Sequence, residues 1–264
     1  MDYKNKNQPS SFLFLFKRNI KTLLKEFITK SSINTINQYF YFLRDFFVST
    51  EDNDLFKKGL LIKKNYLESS YMDKFSKYFS FDNLDFANKR TKLSDTEARE
   101  LLTKLSEVIN TKLKSYLGSN LYCTEYDAVM HGKQTSTDGS YQPHHDQRGR
   151  RIKIFIYIKD SEENSHPLYY LIGSNKKFKR WSNYQATRFE NLNKNEMTKF
   201  FGKKGDVALF DTHGLHSHNK ISTGSRCILK LVIENFSLFN KLIDRSRIGK
   251  NYLKKNNAIK IDFT

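Results

Sequence analysis

Cysteine, proline and glycine are all scarce in this chain of 264 residues, which has two, three and eleven of them respectively. Cys123 and Cys227 form no CxxC motif and no disulfide framework, so we expect a reducing, cytoplasmic compartment. The low proline and glycine content excludes collagen-like and proline-rich classes. No apolar run approaches the roughly 18 residues of a transmembrane helix, so no membrane span is predicted.

Acidic residues are also in deficit, with 28 Asp and Glu against 46 Lys and Arg, for a formal net charge of +18. Such a field attracts nucleic acid, anionic lipid or an anionic substrate. The basic residues are spread along the chain and form no recognised nucleic-acid-binding module, which argues against a nucleic-acid partner. A lysine-rich solvated surface is the simpler interpretation, and a nucleic-acid-directed protein stays as an alternative function.

The front third of the chain is predicted to be helical. Ser11–Ile28 carries an apolar stripe from Phe12 to Phe27 at spacings of three or four, with basic residues off the stripe. A helix of this kind can make peripheral contact with an anionic membrane, or it can dock on its own domain. Residues 33–90 are rich in aromatic side chains and are interpreted as helices and loops packed outside a core.

The clearest helix is predicted over Ser94–Leu117. Ser94 and Glu97 form an S-x-x-E capping box, and Gly118 suits the position that ends the helix. The predicted inward stripe of this helix consists of six aliphatic residues: Leu101, Leu102, Leu105, Val108, Ile109 and Leu113.

After Gly118 the pattern changes to short strands. In Arg151–Ile158 the four isoleucines share one face of the strand, while Lys153, Phe155 and Tyr157 share the other. The other predicted strands are Leu121–Met130, Leu168–Ile172, Val207–Phe210 and Cys227–Ile233. This order predicts an α+β chain built on a β-sandwich or barrel. We divide it into a helical region 1–117, a β core 118–236 and a basic segment 237–264, all in one structural domain.

A cluster of histidines and an aspartate suggests a metal site in the strand-rich half. His144 and Asp146 are two residues apart, so on an extended segment both point to one side. One histidine from the later stretch that holds His213, His216 and His218 would complete a triad of two histidines and a carboxylate. Such a triad leaves three positions open on Fe(II) for a bidentate cosubstrate and O₂.

Arg226 follows His216 by ten residues and begins a predicted strand. A guanidinium binds a carboxylate through two parallel hydrogen bonds. Arg226 is therefore a candidate for the far carboxylate of 2-oxoglutarate, whose near end would chelate iron.

Four stretches in this order resemble the phytanoyl-CoA dioxygenase family of Fe(II)/2-oxoglutarate-dependent oxygenases. They are QPHHD at 142–146, KIFIYI at 153–158, IGSNK at 172–176 and GDVALFD at 205–211, which leads to the GLH of 214–216. The resemblance covers residues 118–236. Family members usually have proline and histidine in the turn where this chain has Ile172 and Asn175.

The resemblance implies a double-stranded β-helix, or jelly-roll, core with helices packed outside. It implies Fe(II) ligands at His144, Asp146 and His216, and 2-oxoglutarate at Arg226. The pocket face of the following strand, Lys153, Phe155 and Tyr157, would contact the cosubstrate. A carboxylate ligand at position 146 favours hydroxylation, or a related desaturation or cyclisation, because halogenating relatives lack it.

The register of the metal motif has an alternative. Aligning on Gln142-Pro143 would make His145 the ligand and put Gln147 in the carboxylate position, leaving a two-histidine site. We prefer His144 and Asp146, which keep the triad complete.

The substrate is predicted only as a class. A basic, aromatic stretch around Arg180 and Trp181, with Arg188 nearby, suits an anionic or carrier-bound small molecule, or it is a solvated loop. Gln142, at the start of the metal motif, is a further candidate contact. A non-catalytic, metal-binding jelly roll is the remaining alternative function.

Overall fold

A computed structural model describes most of the predicted core. The described residues are 53–79, 89–132, 134–135, 141–146, 151–161, 164–176, 194–219, 221–236, 253–254 and 257–262. The predictions for Ser11–Ile28 and for Arg180, Trp181 and Arg188 lie outside them. Among the helices in these ranges, none has the length and apolar character that a membrane crossing needs.

The helices are short, apart from one segment that runs up to the first long strand. Their bounds are α1 Asp54–Lys57, α2 Ser69–Asp73, α3 Asp95–Lys104, α4 Ser106–Val108 and α5 Lys114–Leu117, with a π-helical turn at Ile109–Leu113 between α4 and α5. The predicted capping box is present at the start of α3, where Ser94 and Glu97 exchange hydrogen bonds. Gly118 ends α5 with a φ of 106°, which glycine adopts without strain. The predicted helix is therefore confirmed, with breaks inside it.

Within the described residues, twelve strands form three antiparallel sheets. Their bounds are β1 Leu60–Lys63, β2 Lys89–Lys92, β3 Leu121–His131, β4 Gln134–Thr135, β5 Arg151–Tyr157, β6 Leu168–Tyr170, β7 Thr198–Phe200, β8 Val207–Asp211, β9 His216–Ser217, β10 Ile221–Ser222, β11 Arg226–Asn235 and β12 Ile259–Lys260. The large sheet has the order β1-β8-β5-β11-β3-β12, and β2 also pairs with β3. The order β7-β6-β9 makes the second sheet, and β4 pairs with β10.

The two faces of the large sheet bury different sets of side chains. Ile152, Ile154 and Ile156 join the apolar cluster that contains the helical stripe of α3–α5. Phe155 and Tyr157 join a second cluster with residues of β6 and β7, so the second sheet packs on the opposite face. This is the mixed helix and antiparallel-sheet architecture that the sequence predicts.

β1 lies in the stretch 33–90 that is interpreted from sequence as helices and loops, and β2 begins at the end of that stretch. β1 pairs with β8 and β2 pairs with β3, so both belong to the large sheet. β2 reads Lys-Arg-Thr-Lys and is mostly exposed, so it has no apolar alternation to reveal it. Its pairing with β3 comes from tertiary context. β12 pairs with β3 from the far end of the chain.

Candidate metal centre

Backbone hydrogen bonds hold the segment 141–146 against the start of β9. His144 and His216 form an isolated antiparallel bridge, with N···O distances of 3.0 and 2.9 Å. The backbone N–H of Asp146 donates to the carbonyl oxygen of Thr212 at 2.8 Å. Residues some 70 positions apart in sequence are thereby brought side by side.

The side chains of His144, Asp146 and His216 converge on one point. One ligand atom from each lies within 4.8 Å of the other two. The Nε2 atoms of His144 and His216 are 4.0 and 3.8 Å from Oδ1 of Asp146. Within the ranges that the structure describes, no other group of three His, Cys, Asp or Glu side chains brings its ligand atoms this close.

The orientation of both histidine rings suits metal binding through Nε2. Nδ1 of His144 is 2.8 Å from the carbonyl oxygen of Gln142, and Nδ1 of His216 is 3.0 Å from that of Gly214. Donation from Nδ1–H leaves Nε2 as the unprotonated, ligating nitrogen. Nε2 of His216 is buried without a hydrogen-bond partner among the described residues. Burial and the neighbouring His144 hold the pKa of His216 well below its usual value.

Two cations contact the carboxylate of Asp146. Its Oδ2 is 2.5 Å from a terminal guanidinium nitrogen of Arg151 and 2.9 Å from Nζ of Lys153. Burial alone raises the pKa of the Asp146 carboxyl, but the charges of Lys153 and Arg151 outweigh it and hold that pKa well below its usual range. The carboxylate is therefore ionised and fit to bind a cation.

The other histidines near these motifs have their ring contacts with further histidines. The ring of His145 is buried and faces His213, with ring centroids 5.8 Å apart. His218 lies near His131 and His166, at centroid distances of 6.2 and 5.0 Å. The structure thus brings His144 to Asp146 and His216, whereas the alternative register would need His145 there.

Arg226 lies on the inner side of the large sheet, linked to His216 through two phenylalanines. The centroids of His216 and Phe210 are 5.3 Å apart, and those of Phe210 and Phe155 are 5.0 Å apart. The guanidinium carbon of Arg226 is 5.3 Å from the centroid of Phe155. A continuous series of ring contacts therefore connects the metal site to Arg226.

Arg226 and Tyr157 each have one buried polar atom without a hydrogen-bond partner among the described residues. These atoms are Nε of Arg226 and the hydroxyl of Tyr157. Burial lowers the pKa of Arg226, and the charges that oppose this shift come from Tyr157 and Cys227 rather than from a carboxylate. Burial raises the pKa of Tyr157 to about 12, so its hydroxyl is a neutral donor. Arg226 and Tyr157 therefore offer donors for an anion, and the negative charge of Asp206 also acts on Tyr157.

The cosubstrate roles assigned from sequence to Lys153, Phe155, Tyr157 and Arg226 stay predictions, as does a substrate contact by the side chain of Gln142. Phe155 and Tyr157 lie in the same apolar cluster, next to Arg226. Lys153 is instead observed on the carboxylate of Asp146.

Sequence reasoning missed a group of charged side chains, buried or partly buried, beside the metal site. Arg151 precedes Lys153 by two residues on β5, so continuing the strand alternation by one step finds it. Glu125 and Lys230 lie on β3 and β11, with Lys230 Nζ 2.7 Å from Glu125 Oε2. Their proximity depends on strand register, for which the sequence carries no direct signal.

The residues present fit a divalent transition metal. Two imidazole nitrogens and one carboxylate oxygen converge, and the unpartnered Nε2 of His216 is the kind of buried polar atom that a bound ion satisfies. A donor set of two histidines and a carboxylate with open positions is characteristic of non-haem Fe(II) sites.

The strands around this site define a class of protein by their fold. The sequence matches no family model and no curated protein. Solved structures of similar fold do exist, and they include iron- and 2-oxoglutarate-dependent enzymes. The chain thus shares its fold with members of that superfamily.

SnoN and HygX illustrate this similarity in fold. The epimerase SnoN, solved with Fe³⁺, α-ketoglutarate and nogalamycin RO, has a TM-score of 0.50 and 12% identity, covering 69% of this chain and 81% of SnoN. HygX from Streptomyces hygroscopicus, with nickel and 2-oxoglutarate bound, has a TM-score of 0.52 and 16% identity, covering 69% and 85%. The structure of HygX with hygromycin B also bound has a TM-score of 0.51 and 15% identity, with the same coverage of both chains. At these identities the likeness concerns the fold.

Proposed function

We propose that this protein is an Fe(II)- and 2-oxoglutarate-dependent oxygenase of the double-stranded β-helix class, close in type to the phytanoyl-CoA dioxygenase family. The observation that carries the proposal is the convergence of His144, Asp146 and His216 within 4.8 Å. The fold shared with SnoN and HygX, which were solved with metal and cosubstrate, supports it.

The metal would be held by Nε2 of His144, Nε2 of His216 and Oδ1 of Asp146. When bound, iron supplies the redox chemistry that converts O₂ and 2-oxoglutarate into CO₂, succinate and an oxidised substrate. The carbonyl oxygens of Gln142 and Gly214 fix the histidine tautomers by accepting from Nδ1–H.

Arg226 would bind the far carboxylate of 2-oxoglutarate. Its guanidinium is buried, and the phenol of Tyr157 offers a second donor nearby. A charge-assisted pair formed away from water is strong, because little solvent competes for it. Phe155 and Phe210 would separate the cosubstrate from the core and exclude water from the reaction.

The proposed reaction is hydroxylation of an unactivated C–H bond in a small-molecule substrate. SnoN and HygX were solved with nogalamycin RO and hygromycin B, which are small molecules. Beside the metal ligands, the side chains of Glu125 and Lys153 are 23% and 19% exposed. Charged groups therefore border the space next to the metal site. This favours a substrate with polar or charged groups, including an anionic or carrier-bound one, over a bare acyl chain.

The test is anaerobic reconstitution of the full chain with Fe(II) and 2-oxoglutarate. We expect a weak visible charge-transfer band from the chelate, absent when either component is omitted. His216→Ala should abolish the band, and Arg226→Met should require a much higher 2-oxoglutarate concentration to reach it.

Wild-type protein that is folded and binds Fe(II), but gives no band with saturating 2-oxoglutarate, would contradict the proposal. Admission of O₂ then provides the second readout: succinate should form in the wild type and not in His216→Ala.

A further inference from the structure

The two carboxylate oxygens of Asp146 face different partners. Oδ1 faces the Nε2 atoms of His144 and His216, at 4.0 and 3.8 Å. Oδ2 lies 2.5 Å from a terminal nitrogen of Arg151 and 2.9 Å from Nζ of Lys153. One oxygen is therefore available to the metal site while the other is engaged by two cations.

Arg151 is held in place by the same residue that anchors the ligand segment. Its side chain is buried, and its Nε donates to Oγ1 of Thr212 at 3.2 Å. The backbone of Thr212 also accepts from the N–H of Asp146 at 2.8 Å and donates to the carbonyl of Arg151 at 3.1 Å. Asp146, Thr212 and Arg151 thus form a closed set of hydrogen bonds that leaves the guanidinium little freedom.

A longer ion pair without a hydrogen bond lies on the other side of Arg151. Its other terminal nitrogen is 3.7 Å from Oε1 of Glu125, and this nitrogen is buried without a hydrogen-bond partner among the described residues. Because the guanidinium is planar, its hydrogen bonds to Thr212 and Asp146 define its orientation. A lysine at position 151 has one nitrogen at the end of a flexible stem and lacks this geometry.

Stability alone is a weak reason for these charges. Well-packed apolar residues of similar volume often replace buried ion pairs at no cost in stability, because the desolvation penalty cancels much of the attraction. Two cations on one oxygen of a ligand carboxylate would have a specific consequence instead, because they would hold that oxygen away from a bound metal.

We infer that Arg151 is a positioning residue that restricts Asp146 to a single ligating oxygen, Oδ1, with Lys153 as the second donor to Oδ2. The inference rests on the proposed function and deepens it. A carboxylate that ligates through both oxygens would occupy one more position on the metal. With Oδ2 engaged, the protein supplies three donor atoms, and three positions stay open for a bidentate cosubstrate and O₂.

The experiment compares wild type with Arg151→Lys, Arg151→Met and the control Lys230→Met. Lys230 is a buried cation on the same inner face, and its ion pairs are with Glu125 and Asp127 rather than with Asp146. Ni(II) affinity is measured by titration calorimetry on metal-free protein. The visible spectrum of bound Co(II) reports the ligand geometry without any turnover.

Both Arg151 variants should bind Ni(II) about 10 to 100 times more weakly than wild type, as is typical when a partner of a metal ligand is removed. They should also change the Co(II) spectrum, while Lys230→Met keeps the wild-type spectrum and an affinity within about threefold of wild type. Arg151→Lys keeps the charge and loses the planar geometry, so it decides the question even if Arg151→Met does not fold.

Wild-type affinity and spectrum in folded Arg151→Lys would overturn the positioning role. A lower melting temperature with unchanged Ni(II) binding in the variants would also overturn it, because Arg151 would then only support the fold. If wild type itself binds no Ni(II) at a single site, the proposed function fails, and that outcome is distinct from both.

Discussion

At the scale of single residues, Arg226 is the side chain whose contribution can be isolated most simply. It is buried, lies 5.3 Å from the ring of Phe155, and belongs to no metal-ligand group. Its proposed role is confined to one carboxylate of the cosubstrate. Metal binding and cosubstrate binding should therefore respond separately to its removal.

Arg226→Met should weaken 2-oxoglutarate binding to the Ni(II)-loaded protein by about 30-fold or more, since truncating a desolvated charge pair costs about 2–5 kcal/mol. Titration calorimetry measures this directly. Ni(II) affinity in the same variant is the internal control and should stay at the wild-type value. Equal 2-oxoglutarate affinity in variant and wild type would remove Arg226 from the site.

The histidine register gives a second prediction at this scale. His144→Gln should abolish Ni(II) binding at the site, because it removes one of three converging donors. His145→Gln should keep Ni(II) binding, because the ring of His145 faces His213 instead. The opposite result, with binding lost only in the 145 variant, would mean that the alternative alignment is correct.

At the scale of elements, the helical segment 95–117 shows how much local signals can predict. The capping box and the closing glycine are short-range features, and both are present where the sequence predicts them. The alternation along β5 likewise predicts which side chains share a face. β1 and β2 escaped prediction because their partners, β8 and β3, lie far away in sequence.

The capping box provides a test of this element. Ser94→Ala should lower the free energy of unfolding by about 1 kcal/mol, within the usual range of about 0.5–2 kcal/mol for a lost cap. Urea denaturation measures the change. Ser106→Ala is the matched control, since this serine opens α4 without a capping role, and it should change stability by less than about 0.5 kcal/mol. Equal effects of the two variants would contradict the capping assignment.

At the scale of the whole molecule, the site combines short-range and long-range parts. The spacings of His144, Asp146 and Arg226 are visible in the sequence, and a resemblance singled out His216. Arg151, Glu125 and Lys230 meet only because β5, β11 and β3 pair in one register. A one-residue slip would turn each of these side chains to the other face, so their contacts could not be predicted from spacing.

Buried histidines make the stability of the whole molecule depend on pH. Burial and the charge of Arg226 lower the pKa of His131 well below its usual value and lower that of His166 to about 4. Between pH 6.5 and about 4 the unfolded chain therefore binds more protons than the folded one, so stability falls as the pH falls.

The measurement is urea denaturation of metal-free protein at pH 7.5, 6.5, 5.5 and 5.0. The carboxylate of Glu97 does not confuse this window. Burial raises the pKa of Glu97, but hydrogen bonds from Lys77, Ser94 and Tyr78 outweigh it and lower that pKa to about 2. The stability that Glu97 contributes is therefore lost only as the pH falls below 4.5, the usual pKa of a glutamate. His166→Gln should flatten the dependence. A denaturation midpoint that stays constant or rises toward pH 5 would show that the buried histidines do not lower stability in this range.

The proposed function needs one metal held by His144, Asp146 and His216, with the far end of 2-oxoglutarate bound by Arg226. A crystal structure of the protein with Ni(II) and 2-oxoglutarate would show this arrangement. We expect one ion bound by the Nε2 atoms of both histidines and by Oδ1 of Asp146. We also expect Arg151 to keep its contact with Oδ2 and the distal carboxylate of the cosubstrate to pair with Arg226. An ion held by other residues, or a cosubstrate bound away from Arg226, would contradict the proposed function.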